Sequence, residues 1–145
     1  MRDLTAVGYW RREGCESFPT PQALVSTEYD PSLREAICRY LDSGGEFMGF
    51  LGYSFCRFRC GIPDSKMGCR DLSDGQWVWP EGLSHYVRVH EIRLPEEFVQ
   101  FMADAGWRCP ELPRLPGLVP LPDGGSRIPV THEFWIRWSQ SLRAG

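Results

Sequence analysis

Cysteine and histidine, the side chains that bind zinc and similar metal ions, concentrate in the middle of this 145-residue chain. Between positions 56 and 90 the sequence holds Cys56, Cys60, Cys69, His85 and His90. A structural zinc ion takes four Cys or His ligands in a tetrahedral arrangement. The residue types in this segment therefore indicate a candidate metal site.

The spacing of the first two cysteines argues against the simplest version of that site. Polar and apolar residues alternate over residues 54–60, which predicts a strand. On a strand Cys56 and Cys60 would point the same way but lie about 13 Å apart, at ~3.3 Å per residue. They could share one ion only if the strand broke into a knuckle at residues 57–59.

The two histidines raise a similar difficulty. On one helix His85 and His90 would point about 140° apart, because successive residues rotate by about 100°. A zinc site would then use these residues: Cys56 or Cys60, Cys69 and His85. The alternative, which the spacing favours, is that the thiols are small buried apolar groups and that the protein has no cofactor.

A catalytic interpretation starts from Glu81 and His85, which are four residues apart and would share one side of a helix. A carboxylate there could orient the imidazole, and a thiolate from Cys60 or Cys69 would complete the site of a small thiol enzyme. The alternative is that Glu81 lies in the first turn of the helix and His85 is an ordinary imidazole. The second interpretation is favoured, so we expect that the protein is not an enzyme.

Aromatic residues suggest a binding surface, because rings with a polar edge are enriched at protein interfaces. Rings also fill the space between a sheet and its helices. The residues predicted to bind a partner are Trp79, Glu81, His85, Tyr86, Trp135 and Trp138.

Composition excludes several classes of function. The net charge of −3 and the isoelectric point near 5.6 provide no basic surface for nucleic acid. No stretch approaches the ~20 apolar residues of a membrane span, and the first residues do not resemble a signal peptide. We therefore expect a cytoplasmic protein whose cysteines are free or metal-bound.

Proline and glycine divide the chain into predicted elements. A helix is predicted from Pro31 to a stop at Gly44, because proline suits the first helical position. Asp74–Gly75 is a strong turn dipeptide and predicts a hairpin between residues 69–72 and 76–79.

Further elements flank the hairpin. Residues 6–14 predict a first strand. Helices are predicted to begin at Pro80, at Pro95 and after Thr131, which can cap the last of them. The elements together predict an α+β fold, with a small antiparallel sheet and three to four helices packed on it.

A proline-rich segment separates the last helix from the rest. Residues 109–130 contain six prolines and predict an extended arm. The expected organisation is a domain over residues 1–108, this arm, and a C-terminal helix over residues 131–145 that packs on the same domain.

Two stretches resemble known proteins. "CRFRCG" at residues 56–61 followed by "DGQWVWPEGLSHYVRVHEIRLPEEF" at residues 74–98 resembles a group of small bacterial proteins with no established activity. The similarity covers about a third of the chain. "LPEEFVQFMADAG" at residues 94–106 is similar to a helix of the immunity-protein superfamily related to yeast cell-wall regulators, which implies a toxin-neutralising binder.

The sequence therefore predicts a small accessory module that binds a protein partner and no nucleic acid or membrane, with an immunity or defence role as one version. The alternatives are a small thiol/His enzyme and a zinc-stabilised module. No oligomeric state follows from the residues.

Overall fold

The computed structural model describes residues 3–110 and 129–143. The described residues form β1 (Leu4–Ala6), α1 (Pro31–Asp42), β2 (Gly45–Gly49), α2 (Asp64–Met67), β3 (Arg70–Ser73), β4 (Trp77–Pro80), α3 (Leu83–His90), α4 (Glu96–Asp104), β5 (Val130–Thr131) and α5 (Glu133–Arg143). A short 3-10 helix, Pro21–Leu24, precedes α1. The predicted α+β class is confirmed.

The described strands form one mixed sheet in the order β2-β3-β4-β1-β5. β2, β3 and β4 pair antiparallel, whereas β1 runs parallel to both β4 and β5. The prediction of an antiparallel sheet is therefore confirmed for β2, β3 and β4, and it is wrong for β1 and β5. Long connections separate β1 from its two partners along the chain, and such connections allow parallel pairing.

The first strand is shorter than the residue pattern predicted. β1 ends at Ala6, and Gly8 adopts φ +84°, a conformation that interrupts an extended chain. Residues 9–14 therefore leave the sheet, and Trp10 packs into the core instead.

The predicted hairpin is confirmed, and a buried carboxylate fixes its turn. Asp74 Oδ1 accepts hydrogen bonds from the backbone N–H groups of Gln76 (2.9 Å) and Trp77 (2.7 Å). The Tyr40 hydroxyl of α1 donates to Asp74 Oδ2 over 2.7 Å. The turn is thus tied both to its own backbone and to a helix.

The helix predicted from Pro31 is confirmed: Asp30 accepts from the Leu33 N–H, and the helix ends at Asp42. The helix predicted from Pro80 instead begins at Leu83. Its start is delayed because Pro80 belongs to β4 and the next N–H, of Glu81, donates to the Arg70 carbonyl.

The two remaining predicted helices are α4 and α5. α4 begins directly after Pro95. α5 begins at Glu133, and the Thr131 hydroxyl accepts from the Glu133 N–H over 3.4 Å from one residue before the N-cap position, where it was predicted to lie. Of the predicted proline-rich arm, residues 111–128 lie outside the described residues.

Most of the core lies on one face of the sheet. Trp77 and Trp79 of β4 point to that face with Phe98 of α4 and Trp135 of α5, while Val78 points to the other face. This alternation follows from the two-residue period of a strand. In the described part of the chain, no helix is long and apolar enough to cross a membrane.

The Tyr40–Asp74 contact yields a testable expectation. Tyr40→Phe should lower the free energy of unfolding by about 1–3 kcal/mol, because a buried carboxylate loses a hydrogen bond. Urea denaturation measures this. Tyr53→Phe is the matched control, since Tyr53 is 61% exposed, and it should change stability by less than about 0.5 kcal/mol. Equal stability of the two variants would contradict the role assigned to Asp74.

Candidate metal centre

Residues 54–60 form a knuckle, and the predicted strand is wrong. The Cys56 carbonyl accepts a hydrogen bond from the Arg59 N–H over 3.0 Å, so the chain folds back on itself. Arg59 adopts φ +53°, a left-handed conformation that a strand cannot contain. Cys56 Sγ and Cys60 Sγ consequently lie 3.8 Å apart.

The histidine rings also converge, contrary to the predicted divergence. Cys60 Sγ lies 3.5 Å from His85 Nε2, and Cys56 Sγ lies 3.3 Å from His90 Nε2. The centroids of the two rings lie 5.0 Å apart, and each ring contacts one of the two cysteines of the knuckle.

The four side chains form a cluster that could hold a metal ion. The ligand atoms of Cys56, Cys60, His85 and His90 all lie within 4.8 Å of one another. Tetrahedral zinc with Zn–S of about 2.3 Å and Zn–N of about 2.0–2.1 Å requires S···S of about 3.8 Å and S···N of about 3.6 Å. The observed S···S distance of 3.8 Å and S···N distances of 3.3 and 3.5 Å are close to these values.

The cluster differs from the predicted ligand set in two ways: it contains both Cys56 and Cys60, of which one was expected, and it contains His90 in place of Cys69. Cys69 precedes β3, where its N–H donates to Glu81 Oε1 over 3.2 Å. The sequence carried a signal for the observed set. Its spacing, Cys-x3-Cys followed by His-x4-His, falls within the range of zinc modules.

A buried tyrosine holds the knuckle in position. The Tyr86 hydroxyl accepts from the Arg57 N–H over 2.9 Å and donates to the Phe55 carbonyl over 3.2 Å. Gln22 Nε2 donates to the Arg57 carbonyl over 3.1 Å. The backbone between the two cysteines is therefore fixed by α3 and by the segment before α1.

The surroundings favour neutral imidazoles. Burial lowers the pKa of His85 and of His90, and the nearby His90 lowers that of His85 further. The Phe58 ring stacks on His90 with 4.1 Å between centroids and 9° between planes. A neutral imidazole presents the lone pair that a metal ion requires.

The predicted Cys-His-Glu arrangement does not form. Arg70 binds both carboxylate oxygens of Glu81, at 3.1 and 2.8 Å, and this contact is the main cause of the lowered pKa of Glu81. Glu81 also lies before the first residue of α3, so it does not share a helical face with His85. His85 contacts Cys60 without a carboxylate to orient it.

The aromatic residues predicted to bind a partner lie in the core. Trp79 and Trp135 are fully buried, Tyr86 is 3% exposed and Trp138 is 8% exposed. Trp79 Nε1 donates to the Leu41 carbonyl, as a buried indole usually does to some acceptor. The structure does not bring these four side chains to the surface.

Comparisons of the chain with protein-family models, curated proteins and solved structures found no match. Function must therefore be inferred from the geometry of the cluster and its surroundings.

Removal of the Tyr86 hydroxyl should loosen the knuckle. In chelator-treated protein, Tyr86→Phe should let iodoacetamide alkylate Cys56 at least about threefold faster, because each lost hydrogen bond costs ~1 kcal/mol and leaves a backbone group unpaired. Mass spectrometry of the tryptic peptides measures the rate. Tyr40→Phe serves as the control, since it removes a buried hydroxyl elsewhere. The same acceleration in both variants would show only general destabilisation.

Proposed function

We propose that the protein binds one zinc ion through Cys56, Cys60, His85 and His90, and that the ion fastens the knuckle to α3. The observation that carries this proposal is the agreement of three ligand–ligand distances with a zinc tetrahedron. Four protein ligands leave no coordination position for water or substrate. The proposed role is therefore structural.

The chemistry of the donors selects the metal. Two thiolates and two imidazoles suit Zn²⁺, whereas Ca²⁺ and Mg²⁺ prefer oxygen ligands, and the cluster contains no carboxylate. Two thiolates also balance the charge of a divalent cation. The sulfur atoms differ in accessibility, since Cys56 is 4% exposed and Cys60 is on the surface.

The position of the ion explains why the fold would need it. The chain between β2 and β3 spans residues 50–69 and contains, as regular structure, only the one-turn helix α2. Few apolar contacts anchor its first part, because the large residues there point outward. A zinc ion would connect this segment to α3 by four bonds, and such bonds contribute directly to folding.

The same segment supports a protein-binding role as the second candidate. Phe50, Leu51, Tyr53 and Phe55 are 52%, 109%, 61% and 38% exposed. A run of exposed apolar side chains is typical of interaction surfaces. In this second candidate function, zinc would hold the conformation of the segment that contacts the partner. The immunity or defence role predicted from the sequence stays a prediction.

The zinc proposal predicts the metal content of variants. Purified, untagged protein reconstituted with zinc and then desalted should retain about one ion per chain, measured by inductively coupled plasma mass spectrometry. Cys60→Ser and His90→Ala should each lower retention at least about tenfold. Cys69→Ser, a nearby cysteine outside the cluster, should retain the ion. Retention that is unchanged in all three variants would refute the assigned ligands.

The proposal also predicts how stability depends on metal and pH. Chelator should lower the thermal midpoint of the native protein by about 5 °C or more, and should not shift that of Cys56→Ser. Zinc affinity should fall by about tenfold or more per pH unit below pH 7, because protons compete for the thiolates. Differential scanning fluorimetry and competition with a chromogenic chelator measure these effects. A midpoint insensitive to chelator would contradict a structural ion.

A further inference from the structure

The segment that carries the knuckle also forms a wall of a cavity. Its volume is about 340 Å³, which suits one small molecule. Aromatic residues dominate its lining, and these include Tyr9, Trp10, Phe18, Tyr53, Phe55 and Tyr86. None of the four cluster residues lines it.

The shape of the lining favours a flat ligand. Trp10 and Tyr86 meet edge to face with 5.1 Å between ring centroids, so neither ring is free to rotate. Tyr53 and Phe55 also line the cavity, and both are more exposed than Trp10 and Tyr86. Rigid aromatic walls bind planar ring systems well, because stacking and edge contacts lose little conformational entropy.

The charged residues of the cavity favour an anion. Arg12 and Arg57 line it, and neither has a carboxylate within 4.0 Å in the described part of the chain. Arg57 Nη1 donates to the Arg11 carbonyl over 2.8 Å, and the guanidinium group lies over the Phe55 ring, 4.7 Å from its centroid. A third arginine, Arg70, is neutralised by its ion pair with Glu81.

Asp71 is the acidic residue among the described residues of the lining. It is half-buried beside the Tyr9 hydroxyl, and burial raises the pKa of its carboxyl group to about 6. At pH 7 this carboxyl group is therefore mostly ionised and contributes one negative charge to the cavity. Two guanidinium groups without carboxylate partners outweigh it.

We propose that this cavity binds a small planar aromatic carboxylate, with its rings against the aromatic lining and its carboxylate against Arg12 and Arg57. Guanidinium groups pair with carboxylates through two parallel hydrogen bonds, which fixes the ligand's orientation. The site is separate from the zinc cluster and does not require the ion as a ligand contact.

Isothermal titration calorimetry with three probes of one shape tests the proposal. The probes are 2-naphthoate, 2-naphthalenemethanol and 2-naphthylmethylammonium, which differ in charge. At pH 7, 2-naphthoate should bind with a Kd below about 1 mM, and the neutral probe should bind at least about tenfold more weakly. The cation should bind most weakly of the three.

Variants connect the effect to the two arginines. Arg12→Gln and Arg57→Gln should each weaken 2-naphthoate binding about fivefold or more and leave the neutral probe unchanged. Arg39→Gln, on the exposed side of α1, is the matched control and should change neither. Arg12 is exposed, so its replacement should not disturb folding. The Arg12→Gln variant therefore still tests the proposal if Arg57→Gln unfolds the knuckle.

Several outcomes would overturn the proposal. The first is that 2-naphthoate shows no saturable binding. The second is that the cation binds more tightly than 2-naphthoate, which would make Asp71 the recognition group. The third is that Arg12→Gln binds 2-naphthoate as tightly as the native protein does. Titrations on zinc-loaded and chelator-treated protein separate this proposal from the previous one. Binding of 2-naphthoate by chelator-treated protein would support the cavity, whereas the metal proposal is decided by ion retention in the cysteine and histidine variants.

Discussion

The Tyr86 hydroxyl connects the core of the protein to its candidate metal centre. Its ring packs against Trp10, while its oxygen accepts from the Arg57 N–H and donates to the Phe55 carbonyl. One side chain of α3 thus satisfies two backbone groups of a segment that lacks regular structure. Both the convergence of the cysteines and the wall of the cavity depend on the backbone that these two bonds hold.

Local patterns predicted the regular elements well. Pro31, the Asp74–Gly75 turn and Pro95 each mark an element that the structure contains near the expected place, because capping and turn geometry are decided by neighbouring residues. The start of α3 was placed three residues early. That boundary is decided by the backbone hydrogen bond from the Glu81 N–H to the Arg70 carbonyl, which continues the pairing of β4 with β3. Residues near the start of a helix do not reveal such a bond.

The cluster was only partly predictable for a related reason. The pattern identified Cys56, Cys60 and His85 as ligand types, but a strand was assumed between the cysteines. The knuckle requires φ +53° at Arg59, and its contacts come from Tyr86, 29 residues after Arg57. No local propensity encodes such a contact. The Cys-x3-Cys and His-x4-His spacing, which is typical of zinc modules, was the better guide to which side chains meet.

The candidate metal centre and the cavity share one segment and involve different side chains. Cys56 and Cys60 turn toward α3, whereas Phe50, Tyr53 and Phe55 line the cavity. An ion that restrains the knuckle would therefore also reduce the freedom of the aromatic wall. Ligands of either site would then favour the same arrangement of the segment, and such coupling acts equally in both directions.

The position of β1 has a consequence for how the chain reaches this structure. Leu4 and Thr5 pair with Val130 and Thr131, and Thr5 also pairs with Trp77. The partners of β1 are therefore synthesised about 70 and 125 residues after it. The complete sheet can form only after nearly the whole described chain has left the ribosome. Contacts of such high sequence separation slow folding. During synthesis, α1 and then the hairpin of β3 and β4 can form before β1 pairs with β5.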